Sequence, residues 1–315
     1  MKTPITYYGI DVSKTTLHLA TSEKFLIELP NTPSGHRRLG GYLEKCGDPM
    51  VVVEASGGYE RKLCEFLQDQ EISVHVAQPG CVRHFAKSLK VLAKTDRIDA
   101  CVIARFGLAT QPLPTPKTAP NVRQLRELSD RRAQVVEDRV RESNRLHMVT
   151  DKWIAKQIQA NIRRLEKQEK QIEEKIQKLR QDDKELKRKA ETMMQLKGVG
   201  DKTANILLAH LPELGTLTRQ QIAALAGLAP YTRESGQWKG KRTIYGGRSP
   251  IRKAMFLAAR VAKRWCPIIS AYFEKLKANG KPFKVAIIAC ARKMLIRINT
   301  LLKILDTKQN GNATT

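Results

Sequence analysis

Acidic residues are the scarce class in this chain. Over 315 residues, 31 Asp and Glu face 57 Lys and Arg, a formal net charge of +26. A balance that basic points to a polyanionic partner, nucleic acid first and an anionic membrane second. Long apolar runs are missing as well, which disfavours the membrane. The most apolar C-terminal stretch, residues 285–298, is broken by Arg292, Lys293 and Arg297. Met1-Lys2-Thr3-Pro4 leads directly into a strand pattern, with no signal-peptide signature. Cysteine and histidine at metal-ligand spacing are also lacking. The six cysteines, at 46, 64, 81, 101, 266 and 290, lie far apart, and the six histidines are equally dispersed. No zinc site is expected from that pattern, and free thiols in a reducing cytoplasm are. Aromatics make up 5% of the chain, few for a base-stacking platform.

Residues 1–110 read as α/β. Strands are predicted at 5–10, 16–21 and 25–29, then a helix capped by Asn31-Thr32-Pro33-Ser34 and running to about Cys46. A short β-branched run at 51–54 reads as a buried central strand, followed by a helix over 60–69 and a strand at 72–77. Strands followed by alternating helices and strands predict a mixed sheet covered by helices. Segment 111–120 holds four prolines and reads as a linker.

Over 121–194 the chain becomes charged and helical, with the character of a coiled coil. Positions 158, 162, 165, 169, 172, 176, 179, 183, 186, 190 and 193 are apolar at nine of eleven, a heptad seam interrupted by Glu169 and Asp183. A weaker seam runs through Leu125, Leu128, Val135, Leu146 and Val149. An antiparallel hairpin of two long helices, or pairing between protomers, would bury both; a single solvated helix is the alternative. Residues 195–305 read as a mostly helical third region, and 306–315 as a disordered tail.

The third region opens with Leu196-Lys197-Gly198-Val199-Gly200-Asp201-Lys202-Thr203-Ala204, a helix-hairpin-helix pattern. Gly198 and Gly200 would let the turn tighten, so that its N–H groups and Lys202 could approach a phosphate. A purely structural connector is the competing explanation. Residues 231–264 hold ten Lys or Arg and one acid, Glu234. The part from Arg233 to Arg242 has neither helical nor strand periodicity and reads as a loop. Arg233, Lys239, Lys241, Arg242, Arg248, Arg252 and Lys253 are its candidate nucleic-acid contacts. A helix begins at Ser249-Pro250.

Against this basic background four acids stand out. Asp11 closes the apolar run Tyr7-Tyr8-Gly9-Ile10, and Glu54 closes Met50-Val51-Val52-Val53. Asp96 and Asp99 lie in Lys94-Thr95-Asp96-Arg97-Ile98-Asp99-Ala100, an i, i+3 pair on one helix face. Divalent cations facing a phosphodiester would give such carboxylates a purpose.

Strand-end Asp, strand-end Glu and a helical Asp-x-x-Asp resemble the RuvC-like members of the RNase H fold. The chain as a whole resembles DEDD transposases of the IS-one-ten insertion-sequence family, a group that includes DNA invertases of the Piv type. Gly9-Ile10-Asp11-Val12-Ser13-Lys14, Val53-Glu54-Ala55-Ser56-Gly57-Gly58-Tyr59, the Asp96–Asp99 stretch, Ala223-Ala224-Leu225-Ala226-Gly227-Leu228-Ala229-Pro230 and Glu234-Ser235-Gly236 carry the resemblance. It implies that Asp11, Glu54, Asp96 and Asp99 bind a pair of Mg²⁺ ions and that Ser235 is the nucleophile. It further implies a homo-oligomer, dimer or tetramer, with composite active sites. A structured bridge RNA would guide the choice of donor and target DNA, in the cytoplasm of a prokaryote and in association with its nucleoid. Nothing in composition marks Ser235, since no His or Lys base stands beside it. A Piv-like invertase or Holliday-junction nuclease working without guide RNA, and a non-catalytic nucleic-acid-binding protein, are the alternatives.

Overall fold

The computed structural model describes residues 5–91, 95–232, 234–235, 238–240 and 242–312, with backbone alone at 234, 235, 238, 239 and 308–312. The chain divides into two compact units, Met1–Lys117 and Thr118–Thr315.

In the first unit β1 (Thr6–Val12), β2 (Thr16–Ala20) and β3 (Phe25–Pro30) form an antiparallel meander. β4 (Pro49–Glu54) lies parallel to β1, and β5 (Ser73–Ala77) parallel to β4, giving the mixed-sheet order β3-β2-β1-β4-β5. α1 (Pro33–Leu43) and α2 (Arg61–Asp69) cover one face, α3 (Pro79–Ser88) and α4 (Asp96–Thr110) the other. Alternation along β1 sorts its side chains between them. Tyr8, Ile10 and Val12 pack with Leu39, Leu43, Leu63 and Leu67. Tyr7 turns the opposite way, toward Val52, Val102 and Ile103. β4 is covered from both sides, so Val51-Val52-Val53 is continuously apolar. The helix expected to reach Cys46 ends at Leu43, and Glu44–Cys46 is a 3-10 turn closed by Gly47 at φ 82°.

The proline-rich segment is more than a linker. Thr115 donates its amide to the Val74 carbonyl (2.7 Å), and its hydroxyl accepts from the Val76 amide at 2.9 Å. β5 is a sheet edge, and this strap satisfies backbone groups that would otherwise be open there.

The second unit contains α5 (Pro120–Leu146), α6 (Lys152–Asp182), α7 (Lys184–Met194), α8 (Asp201–His210) and α9 (Arg219–Leu225). Four two-residue strands follow: β6 (Pro230–Tyr231), β7 (Glu234–Ser235), β8 (Trp238–Lys239) and β9 (Thr243–Ile244). α10 (Ser249–Trp265), α11 (Pro267–Ala278) and α12 (Phe283–Asn312) complete it. α5 and α6 are antiparallel: Asn121 meets Asp183, and Arg132 meets both Glu169 and Glu173. Both apolar seams are therefore occupied within one chain.

Several expectations change here. The seam is not one helix, because Asp183 ends α6 in extended geometry (φ −103°, ψ 108°) and caps α7 by accepting from the Glu185 and Leu186 amides. Helices of 121–194 do not stand apart either: Leu125, Ile176, Leu186 and Met193 enter the same core as Leu207, Met255, Phe273 and Leu295. The segment read as a loop carries two short antiparallel ladders, β6 with β9 and β7 with β8. Ladders this short leave no period to detect. Finally, α12 runs to Asn312 through most of the expected tail, held near its end by an Asp306–Arg188 ion pair at 3.5 Å.

Candidate active site and basic face

The hairpin between β1 and β2 turns at Ser13, whose hydroxyl accepts from the Thr16 amide at 2.8 Å. Its register makes Asp11 and His18 direct partners. The parallel ladder between β1 and β4 ends at Ile10–Val53, so the next step sets Asp11 and Glu54 beside each other. Both belong to the face that α4 covers. α4 lies on the β1 backbone itself: a Cβ on Gly9 would meet the Ala100 carbonyl oxygen at 2.1 Å and the Ala104 nitrogen at 2.3 Å. Only a residue without a side chain allows that approach. Thr95 caps α4 by accepting from the Ile98 amide at 3.3 Å. Asp96 and Asp99 thus fall in the first turn, over the end of β1.

Charge accumulates where these elements meet. Burial holds the Asp11 carboxyl above its ordinary range, and the neighbouring carboxylates of Asp96 and Asp99 push it the same way, against a smaller opposing effect of His18. Ligating atoms of Asp11, His18 and Asp96 all lie within 4.8 Å of one another. Among the described residues this grouping joins two of the four expected acids to a histidine whose dispersed spacing in the sequence carries no metal signal. Asp99 adds its charge from the same first turn of α4, and Glu54 follows the last β1–β4 ladder pair on β4. The missed signal was register: Val12–Leu17 closes the hairpin, so His18 had to face Asp11. A further acid, the buried Glu60, braces the loop after Glu54, where its Oε2 accepts from the Ser56 amide (3.0 Å) and the Gly58 amide (2.8 Å).

Ser235 belongs to the second unit. Its backbone pairs with Trp238, and Glu234 pairs with Lys239. Arg233 and Lys241 lie outside the described residues, as does Lys94 of the Asp96 stretch. Gly198 adopts φ 99°, and its backbone is pressed against α10, where a Cβ would meet the Ala258 carbonyl at 2.6 Å. Gly200 precedes α8 with open space around it. Lys202 pairs with Glu173 at 2.9 Å. Two of the other basic candidates hold the fold together. Arg248 makes a bidentate pair with Glu213, both contacts at 2.6 Å, and Arg252 donates to the Gly246 carbonyl at 2.6 Å. Arg242 and Lys253 are exposed. They border a cavity of about 1090 Å³ whose rim adds Lys284, Arg292 and Lys293 and whose floor is Leu228, Phe256, Ile288 and Ile296. None of its described lining residues is acidic.

A family model for DEDD-type transposases of insertion element IS110 matches residues 8–152, and a second, described as Transposase IS116/IS110/IS902 family, matches residues 190–274. The chain belongs to this transposase family. It is a DNA transposase or recombinase, and its family suggests use of a divalent metal. The transposase is 26% identical over 306 residues to the pilin gene-inverting protein of Moraxella bovis, covering 92% of this chain and 93% of that protein. The namesake from Moraxella lacunata is 26% identical over 312 residues, with the same coverage. A 43.6 kDa protein of insertion element IS110 from Streptomyces coelicolor is 34% identical over 116 residues, covering 36% of the transposase and 28% of that protein. Among the described residues no helix is long and apolar enough to cross a membrane.

Proposed function

We propose that this transposase cuts and rejoins donor and target DNA under the guidance of a structured RNA, with Asp11, Glu54, Asp96 and Asp99 of an RNase H-like unit holding Mg²⁺ and Ser235 acting as nucleophile. The observation that carries the metal assignment is the grouping of ligating atoms of Asp11, His18 and Asp96 within 4.8 Å, at an Asp11 whose pKa is raised by burial first and by Asp96 and Asp99 next. Carboxylates in that state gain from a hard cation, and oxygen donors suit Mg²⁺. When bound, Mg²⁺ supplies charge neutralisation at the reacting phosphate. The strand order, with parallel β1, β4 and β5 and an antiparallel β2–β3 edge, is compatible with an RNase H-like fold.

In the proposed reaction the Ser235 hydroxyl attacks phosphorus and loses its proton, while the bond to the leaving deoxyribose oxygen breaks and that oxygen takes up a proton. A strand-end hydroxyl then attacks the phosphoserine and gives up its proton, while the bond to the Ser235 oxygen breaks and that oxygen takes up a proton. The acids of one protomer would serve the serine of another, which makes a dimer or tetramer the working form. The acid-free basic cavity and the open Gly200 turn support binding of nucleic-acid backbone, and scarce aromatics favour contacts blind to sequence. Sequence choice is then left to base pairing with RNA. DNA as substrate favours association with the nucleoid. Likeness over nine-tenths of the chain to pilin gene-inverting proteins favours a second reading, site-specific inversion without a guide.

Labelled DNA on denaturing gels tests the chemistry. With Mg²⁺, the wild type should form a protein-linked band that Ser235→Ala and Asp96→Asn both lose while still binding DNA. A band persisting in Ser235→Ala would move the nucleophile elsewhere. Sequencing of copurified RNA separates guided transposition from inversion.

A further inference from the structure

His18 occupies an unusual position in the sheet. Its Cα partner across β1–β2 is Asp11, and its partner across β2–β3 is Glu28. Residues directly opposite one another project to the same face, so Asp11, His18 and Glu28 form a row of carboxylate, imidazole and carboxylate beneath α4. The imidazole is only 6% exposed. Its Nε2 lies 3.4 Å from Glu28 Oε2, whereas its Nδ1 has no hydrogen-bond partner among the described residues. Glu28 is itself bracketed by Arg97, 3.9 Å away, whose guanidinium stacks over Phe25 at 4.8 Å. The ring is thus oriented from one side and lacks a partner on the other. Buried ring nitrogens ordinarily have a partner.

We propose that His18 is a direct ligand of the divalent cation held by Asp11 and Asp96, through Nδ1, with Glu28 fixing the tautomer from Nε2. The inference rests on the metal reading above and adds a nitrogen to a centre otherwise described by oxygen. Donors sharing one small divalent ion at about 2.1 Å sit roughly 3 to 4 Å apart, so the 4.8 Å grouping needs only small side-chain rotations to close. A carboxylate on the far nitrogen of a metal-binding histidine is the usual means of setting its tautomer and orientation. The chemical consequence is a shift in preference. An imidazole donor favours Mn²⁺, and the later divalent ions more so, over Mg²⁺, relative to an all-carboxylate site.

Electron spin echo spectroscopy of the full-length protein loaded with Mn²⁺ alone tests this without reference to catalysis. A ligating imidazole gives a ¹⁴N modulation, which should become a ¹⁵N pattern when the wild-type protein is grown with ¹⁵N-histidine. That arm needs no variant, so folding cannot confound it. His18→Gln should abolish the nitrogen modulation and weaken Mn²⁺ binding roughly 10-fold or more, with a smaller loss for Mg²⁺. Mn²⁺ binding that depends on Asp11 yet shows no histidine nitrogen would overturn the proposal and leave the carboxylate centre standing. Modulation that survives in His18→Gln would also overturn it. Absence of Asp11-dependent Mn²⁺ binding in the wild type would remove the metal centre as well.

Discussion

Gly9→Ala tests whether α4 carries its aspartates to the end of β1 by direct backbone contact. The added methyl would stand 2.1 Å from the Ala100 carbonyl oxygen and 2.3 Å from the Ala104 nitrogen, more than about 1 Å inside the 3.4 Å at which ordinary contact begins. Both obstacles are helix backbone and cannot rotate away, so the whole first half of α4 must lift. Overpacking of this kind costs about 1–3 kcal/mol, and the rigid obstacles put Gly9→Ala at the upper end. A displacement near 1 Å is also enough to reduce rate on the order of 100-fold when it separates catalytic groups. Gly107 is the internal control. It lies on the same helix, but its added methyl would meet side chains, Val52 Cγ2 at 2.6 Å and Tyr7 Cδ1 at 3.0 Å, rather than backbone. Val52 is fully buried and must shift as well, but it can do so without lifting the helix, so Gly107→Ala should cost about 1–2 kcal/mol and leave most activity intact. Urea unfolding read beside Mg²⁺-dependent recombination decides it. Wild-type stability and activity in Gly9→Ala would refute the docking of α4 on β1 and, with it, the convergence of Asp96 on Asp11.

Four further substitutions separate the roles assigned above. The Asp11 carboxyl titrates above its ordinary 3.8 in the folded protein, so its contribution to stability is fully present below 3.8 and is lost as pH rises through the folded value. Cation-free Asp11→Asn should then melt above the wild type near neutral pH, with the gap closing toward 3.8, while Mg²⁺ should raise the melting temperature of the wild type alone. Arg248→Ala, which breaks the pair with Glu213, should cost roughly 1–2 kcal/mol without altering salt dependence, whereas Arg292→Ala should spare stability and flatten the salt dependence of nucleic-acid affinity by about one unit of slope. Ile176→Asp places a charge at a position 3% exposed in the shared helical core and should cost at least ~3 kcal/mol; denaturant midpoints equal to wild type would mean that the α5–α6 seam is not core.

Much of the first unit was legible because its signals are local. Val51-Val52-Val53 announces a strand covered on both faces, and the i, i+3 spacing of Asp96 and Asp99 announces two acids on one helix face. His18 was not legible from counting histidines, because its meaning comes from cross-strand register. Glu60 escaped notice because a buried acid that accepts backbone amides looks like any other acid in sequence. In the second unit periodicity overreached: Asp183 keeps the heptad phase yet caps a new helix, since its short side chain binds the next amides more readily than it continues α6. The basic candidates divided on tertiary pairing that composition does not encode. Arg248 and Arg252 resemble Arg242 in sequence, but Glu213 and the Gly246 carbonyl engage the first two.

The scarcity of acids shapes both surfaces. Within the second unit, acids are largely engaged by its own cations: Glu169 and Glu173 by Arg132, Asp201 by Arg180, Glu213 by Arg248 and Asp306 by Arg188. The cavity bordered by Arg242, Lys253, Lys284, Arg292 and Lys293 is left without opposing charge among its described lining residues, which is the condition for counterion release on binding a polyanion. The first unit does the reverse around Asp11, gathering like charges in a partly buried corner. A phosphodiester approaching that corner meets repulsion unless a cation lies between. In the proposed reaction, cation loading and DNA engagement at these carboxylates would then be linked, each strengthening the other by the same factor. Added salt screens the basic cavity far more than the half-buried carboxylates. The metal requirement should accordingly persist at salt concentrations where nucleic-acid affinity has already fallen.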